Sequence, residues 1–194
     1  RMDSDPVCGA ANQAAVHSES FIVDENGNLA NVLIYLNNAS ADTDPSDSVV
    51  IDQNGCMYAP HVMGVQTGQE LKILNSDPTM HNIHGLPKVN KEFNFGMPKT
   101  VKKRSVTFDK PEDVFVVKCD VHPWMKSYVQ VFNHPFFAVS GTDGKYSISG
   151  VPAGEYEVVA WQEKFGSKRT LTQTVTIGDD STTLDFKFVK PSKK

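Results

Sequence analysis

Short apolar stretches alternate with polar turns along almost the whole chain. The apolar stretches are rich in Val, Ile, Phe, Tyr and Thr, recur about every ten residues and favour strands over helices. Turn-forming pairs such as Asn26-Gly27, Asn54-Gly55 and Asp143-Gly144 separate them. The predicted strands are Phe21–Val23, Val32–Leu36, Val49–Ile51, Leu71–Leu74, Val106–Phe108, Val114–Lys118, Tyr128–Phe132, Tyr146–Ile148, Tyr156–Trp161, Leu171–Ile177 and Leu184–Val189.

Many short strands at regular spacing predict an all-β protein built from β-sandwiches. We expect one sandwich over residues 49–133 and a second, smaller one over residues 134–194. Residues 1–48 would supply an N-terminal arm and further strands. Within them, the polar segment 37–48 is predicted to be a surface loop, and residues 191–194 a frayed basic tail.

Composition and charge exclude several classes of protein. The 194 residues are 39% hydrophobic and 22% charged, which is enough apolar material for a packed core. The formal net charge of −4 argues against a general nucleic-acid-binding protein. No apolar run reaches the roughly 18 residues that a membrane span needs, and the first residues do not have the pattern of a signal peptide.

The strongest candidate chemistry lies between Cys119 and Met125, directly after the predicted strand Val114–Lys118. The segment offers a thiolate, the imidazole of His122 and a thioether, and His81 stands upstream. Two imidazoles, one thiolate and a weak thioether are the ligands of an electron-transfer copper site, whereas zinc disfavours thioethers. The sequence therefore predicts one copper ion bound by His81, Cys119, His122 and Met125.

Two motifs resemble the plastocyanin/amicyanin group of cupredoxins, which are type 1 blue copper proteins. They are Met80-His81-Asn82-Ile83-His84 and Cys119-Asp120-Val121-His122-Pro123-Trp124-Met125. The likeness spans residues 58–132 and implies a Greek-key sandwich with the same four copper ligands. It further implies that Asn82 links the two ligand-bearing segments by a hydrogen bond to the Cys119 loop.

The same resemblance implies how electrons reach the metal. The exposed edge of His122 would be the entry and exit point, surrounded by an apolar collar of Met80, Pro123 and Trp124. A redox protein, such as a cytochrome or a copper- or quinone-linked oxidoreductase, would dock on that face. Such proteins work in the bacterial periplasm or after secretion, so we expect an extracytoplasmic location.

The chain has three cysteines, and assigning Cys119 to the metal leaves Cys8 and Cys56. A leftover pair beside a copper thiolate suggests a disulfide formed in an oxidising compartment. Two free buried thiols are the first alternative. The second is that Cys56 joins His61 in another metal site.

Two further histidines have both a structural and a functional interpretation. His61 follows Pro60 and is interpreted as a hydrogen-bonded buried or edge residue, and His84 as a hydrogen-bonded residue beside the site or at the surface. The functional alternative places His61 and His84 in a secondary metal site. A copper enzyme would require such a site or an open coordination position.

The C-terminal part resembles the carboxypeptidase-regulatory-like (transthyretin-like) sandwich. The motifs are Thr142-Asp143-Gly144-Lys145-Tyr146 and Pro152-Ala153-Gly154-Glu155-Tyr156. Residues 23–36 are similar to the opening of that family, so the copper domain would be inserted in a split sandwich. In the alternative arrangement, residues 20–60 supply the first cupredoxin strands. Such modules imply no chemistry.

The sequence thus predicts a non-enzymatic copper protein that carries single electrons. The alternatives are a copper chaperone or storage protein, a copper-dependent enzyme and a glycan-binding surface protein. The methionines are scattered rather than clustered, which does not favour copper storage. No nucleophile–base pair or carboxylate pair in the sequence suggests an enzyme.

Overall fold

A computed structural model describes residues 2–12, 14–41, 44–45, 47–165 and 170–189. Part of the predicted loop 37–48 and the whole predicted tail 191–194 lie outside these residues. The chain divides into two compact units, one from residues 1–19 and 40–135, the other from residues 20–39 and 136–194. The domain boundaries predicted from the sequence lie between residues 48 and 49 and between residues 133 and 134.

Strands dominate both units. In chain order they are β1 (Leu33–Leu36), β2 (Val49–Asn54), β3 (Met57–Ala59), β4 (Val62–Gln66), β5 (Glu70–Asn75), β6 (His81–Gly85), β7 (Phe93–Met97), β8 (Lys103–Thr107), β9 (Glu112–Lys118), β10 (Lys126–Phe132), β11 (Phe137–Val139), β12 (Gly154–Trp161) and β13 (Leu171–Ile177). The described helices are a 3₁₀ turn, Met2–Ser4, and one short α-helix, α1 (Pro6–Ala10). The all-β prediction is confirmed.

The first unit is a sandwich of two sheets. One sheet has the order β4-β10-β9-β6-β7, with β4 parallel to β10, and the other has the order β3-β2-β5-β8, with β2 parallel to β5. Inward side chains of both sheets form one buried cluster, for example Ile73 from the second sheet and Val117 and Val129 from the first. Because successive strand residues face opposite sides, this alternation gives each sheet one apolar face.

One buried carboxylate stabilises a loop in this unit. Glu112 begins β9 and accepts hydrogen bonds from the backbone N–H groups of residues 88–90. Burial raises the pKa of Glu112, but these hydrogen bonds outweigh it and hold the pKa below its ordinary value. The carboxylate therefore replaces the partners that the loop lacks in either sheet.

The second unit contains a four-stranded antiparallel sheet with the order β11-β1-β12-β13. Three predicted strands were wrong in this unit. Phe21–Val23 contributes only an isolated bridge between Val23 and Leu29, and Tyr146–Ile148 and Leu184–Val189 lie outside the named strands. The last two meet through a side chain, because the Tyr146 hydroxyl donates to the Leu184 carbonyl.

The N-terminal arm, residues 2–12, belongs to the first unit, and a disulfide between Cys8 and Cys56 ties it to the turn between β2 and β3. Asp5 caps α1 by accepting from the N–H groups of Val7 and Cys8, and Pro6 occupies the first helical position. The predicted disulfide is confirmed. Within the described residues, neither helix has the length and apolar character needed to cross a bilayer.

Candidate metal centre

Two strands of the same sheet position the predicted ligands. His81 is the first residue of β6, and Cys119 directly follows β9. The loop from Cys119 to β10 is closed by two backbone hydrogen bonds, from Cys119 N–H to the Met125 carbonyl and from Met125 N–H to the His122 carbonyl. Three predicted ligands therefore lie on one tight turn at the end of a paired strand.

The imidazoles and the thiolate converge in the protein interior. A ring nitrogen from each of His81 and His122 and the Cys119 Sγ lie within 4.8 Å of one another. The two Nδ1 atoms are 2.9 Å apart, and the Cys119 Sγ is 3.8 Å from the His122 Nδ1. His81, Cys119 and His122 are at most 3% exposed, and Met125 is fully buried.

The second nitrogen of each ring points away from the cluster toward a carboxylate. His81 Nε2 donates to the Asp77 carboxylate at 2.8 Å. His122 Nε2 is 3.3 Å from the Asp5 carboxylate and 3.8 Å from Cys8 Sγ. Because the Nε2 atoms have these partners, both Nδ1 atoms are directed into the cluster.

Electrostatics favour a thiolate at Cys119. Burial raises the pKa of the thiol, but a hydrogen bond with His81 and others with backbone N–H groups lower it below its ordinary value. Burial lowers the pKa of His81, whereas Asp77 and Cys119 raise it more strongly, to about 9. A positive charge is thus favoured between the Asp77 and Cys119 side chains.

This donor set fits a soft or borderline metal ion. One thiolate and two imidazole nitrogens, all buried, match the ligand types of a copper electron-transfer site. Two neighbouring groupings, one with Asp5 and Cys8 and one with Cys56 and Asp77, contain the disulfide sulfurs. Those sulfurs are not thiolates, so the Cys119 group is the metal candidate among the described residues.

Asn82 joins the two ligand-bearing segments, as the resemblance implied. Its Oδ1 accepts the Asp120 backbone N–H at 2.7 Å and lies 3.2 Å from the Cys119 Sγ, which links β6 to the Cys119 loop. The Asp120 carboxylate in turn accepts from the side chains of Asn82, His84 and Asn94. A polar network therefore fixes the loop from its outer side.

The structure does not bring His61 and His84 together, which argues against the alternative that they share a secondary metal site. The His61 Nδ1 donates to the Lys126 carbonyl, and the His84 ring donates to Asp120 and Glu92. His61 precedes β4 and His84 lies in β6, with β10 and β9 between those strands. Three strand spacings amount to about 14 Å, which is too far for a shared ion.

The prediction of an exposed His122 edge was wrong. The side chain is 3% exposed because the N-terminal arm lies over it, with Asp5 and Cys8 against Nε2. The collar residues are placed as follows: Pro123 and Met80 are exposed, and Trp124 is half-buried with its ring centroid 5.1 Å from that of His122. The Trp124 Nε1 donates to the Cys56 carbonyl.

Sequence reasoning missed the two carboxylates on the histidines. Asp77 lies four residues before His81, in a polar turn, and this spacing was the available signal. Asp5 precedes Pro6, a typical N-cap signal for a helix. Nothing in the sequence indicates that Asp5 contacts a residue 117 positions away.

Comparisons with known proteins give limited likenesses. No family model matches the chain, and no curated protein matches it. Among solved structures, a Cu-containing nitrite reductase from Thermus scotoductus SA-01 is 20% identical over 48% of this chain, with a TM-score of 0.41; the match spans 24% of the reductase. Amicyanin from Paracoccus versutus is 22% identical over 51% of this chain and 97% of its own, with a TM-score of 0.39. A point mutant of amicyanin in the Cu(I) state gives the same identity and TM-score.

Proposed function

We propose that the first unit is a cupredoxin of the plastocyanin/amicyanin type that carries single electrons outside the cytoplasm. His81, Cys119 and His122 would bind one type 1 copper ion, with the thioether of Met125 as a weaker fourth ligand. When bound, copper supplies a one-electron Cu(II)/Cu(I) couple. The observation that carries this proposal is the buried convergence of two Nδ1 atoms and one Sγ.

The burial of the ligands favours a carrier over a copper chaperone. Handing a metal ion to an acceptor requires ligands that a second protein can reach, whereas His81, Cys119 and His122 are enclosed. Enclosure by a rigid sandwich also limits ligand movement between oxidation states, which suits electron transfer. The disulfide supports an oxidising compartment, such as the bacterial periplasm, and the partner would be another redox protein.

The test is optical and magnetic. The purified full chain is loaded with Cu(II), and we expect intense visible absorption from the Cys119 thiolate with a narrow copper hyperfine splitting. Cys119→Ala should remove the colour. His61→Gln changes another buried histidine outside the ligand cluster and should keep it. A colourless protein with stoichiometric copper bound would refute the proposal.

A further inference from the structure

Both histidines of the ligand cluster carry a carboxylate on their outer nitrogen. The His81 Nε2 donates to Asp77 at 2.8 Å, and the His122 Nε2 is 3.3 Å from Asp5. A ligand histidine that donates its second N–H to a carboxylate is fixed in orientation and becomes a stronger electron donor to the metal. Here this arrangement occurs on both rings.

Asp77 is held rigidly in place. It is 4% exposed, and its carboxylate also accepts the backbone N–H groups of Gly55 and Cys56, each at 2.8 Å. Gly55 and Cys56 form the turn between β2 and β3, and both have positive φ angles. The turn's N–H groups and the His81 ring therefore converge on one buried carboxylate.

Asp5 is connected to the same turn through the disulfide. It accepts from the N–H groups of Val7 and Cys8, and Cys8 is bonded to Cys56. Its side chain is 30% exposed, so water screens its charge more than that of Asp77. The arm thus brings a second, weaker carboxylate to the site.

We propose that Asp77 and Asp5 are positioning residues of the metal centre that favour Cu(II) over Cu(I). Each negative charge lies on the far side of a ligand ring and stabilises the more positive oxidation state. Asp77 has the larger effect on the reduction potential, because it lies closer to its histidine than Asp5 does and is more buried. This inference rests on the proposed function, since it concerns the same copper site.

The test measures the reduction potential of the copper-loaded full chain by voltammetry. Asp77→Asn keeps the size of the side chain and removes its charge. We expect the ratio of Cu(II) affinity to Cu(I) affinity to fall about tenfold, which is a rise of about 59 mV for one electron. Asp77→Glu, which restores the charge, should bring the potential back toward that of the wild type.

A matched control separates this contact from a general loss of charge. Asp52 lies on β2, and its carboxylate accepts from the Ser76 hydroxyl. Asp52→Asn should shift the potential much less than Asp77→Asn. Equal shifts in the two variants would overturn the inference, because the effect would then not depend on the His81 contact.

The remaining outcomes are also decisive. Blue Asp77→Asn protein with the wild-type potential overturns the inference and leaves the proposed function standing, whereas a colourless wild type refutes both. If Asp77→Asn does not fold, the reduction potential of Asp5→Asn tests the inference, because Asp5 is the partly exposed carboxylate on the other histidine. A smaller rise in potential supports the inference, and an unchanged potential overturns it.

Discussion

Removal of the disulfide tests how the N-terminal arm is held. The double variant Cys8→Ala, Cys56→Ala opens a loop whose ends are 48 residues apart in sequence. Loop-closure entropy for that length predicts a loss of about 4 kcal/mol in the free energy of unfolding. With a urea m-value of about 2 kcal/mol/M, the unfolding midpoint of the variant should fall by about 2 M.

The assay combines urea unfolding with hydrogen exchange of the arm. Val7 and Cys8 donate their N–H groups to Asp5, so their exchange reports whether the arm stays in place. We expect faster exchange in the double variant and greater exposure of His122. Cys119→Ala keeps the disulfide and is the control. A loss below about 1 kcal/mol with unchanged exchange would refute the reasoning, because the arm would then be held by its other contacts.

Three further predictions concern polar contacts. Glu112→Gln should lower the free energy of unfolding by about 1–3 kcal/mol in urea, since it weakens acceptance from three backbone N–H groups; an unchanged midpoint would contradict this. Asn82→Ala should cost a similar amount by removing the acceptor of the Asp120 N–H, and the Asp120 amide should exchange faster. The hydrogen bond with Glu92, and to a smaller extent that with Asp120, raises the pKa of His84. The stability that protonated His84 contributes is therefore complete below about pH 6.5 and is lost as the pH rises through the raised pKa. NMR titration should give a lower His84 pKa in Glu92→Gln, and an unchanged value would count against the ion pair.

Alternating apolar residues made several strands predictable. Val49–Ile51, Leu71–Leu74 and Leu171–Ile177 all fall within observed strands, because each supplies one apolar face to a sheet. The strand that carries His81 was missed, since His81-Asn82-Ile83-His84-Gly85 has only one large apolar side chain, Ile83, and places a histidine on each face. Its polar side chains serve the ligand cluster and the Asp120 network, which override the usual pattern.

The predicted ligand residues came from local spacing, and the structure brings three of them together. His122 and Cys119 are three residues apart on one turn, so their proximity follows from the chain itself. The covering of His122 by the N-terminal arm does not follow from local spacing, because Asp5 and Cys8 are 117 and 114 residues away in sequence. Contacts between distant segments depend on the complete fold, which spacing cannot supply.

The covering arm has a consequence for anyone who shortens this protein. A version trimmed to begin at Val49 would keep every strand of both sheets in the first unit, together with His81, Cys119, His122 and Met125. It would nevertheless leave Cys56 as an unpaired thiol and open His122 to water. Such a fragment would keep its strands and its ligand residues and would therefore look intact. Oxidation and nonspecific metal binding at the unpaired Cys56 thiol would nevertheless make it a misleading substitute for the full chain.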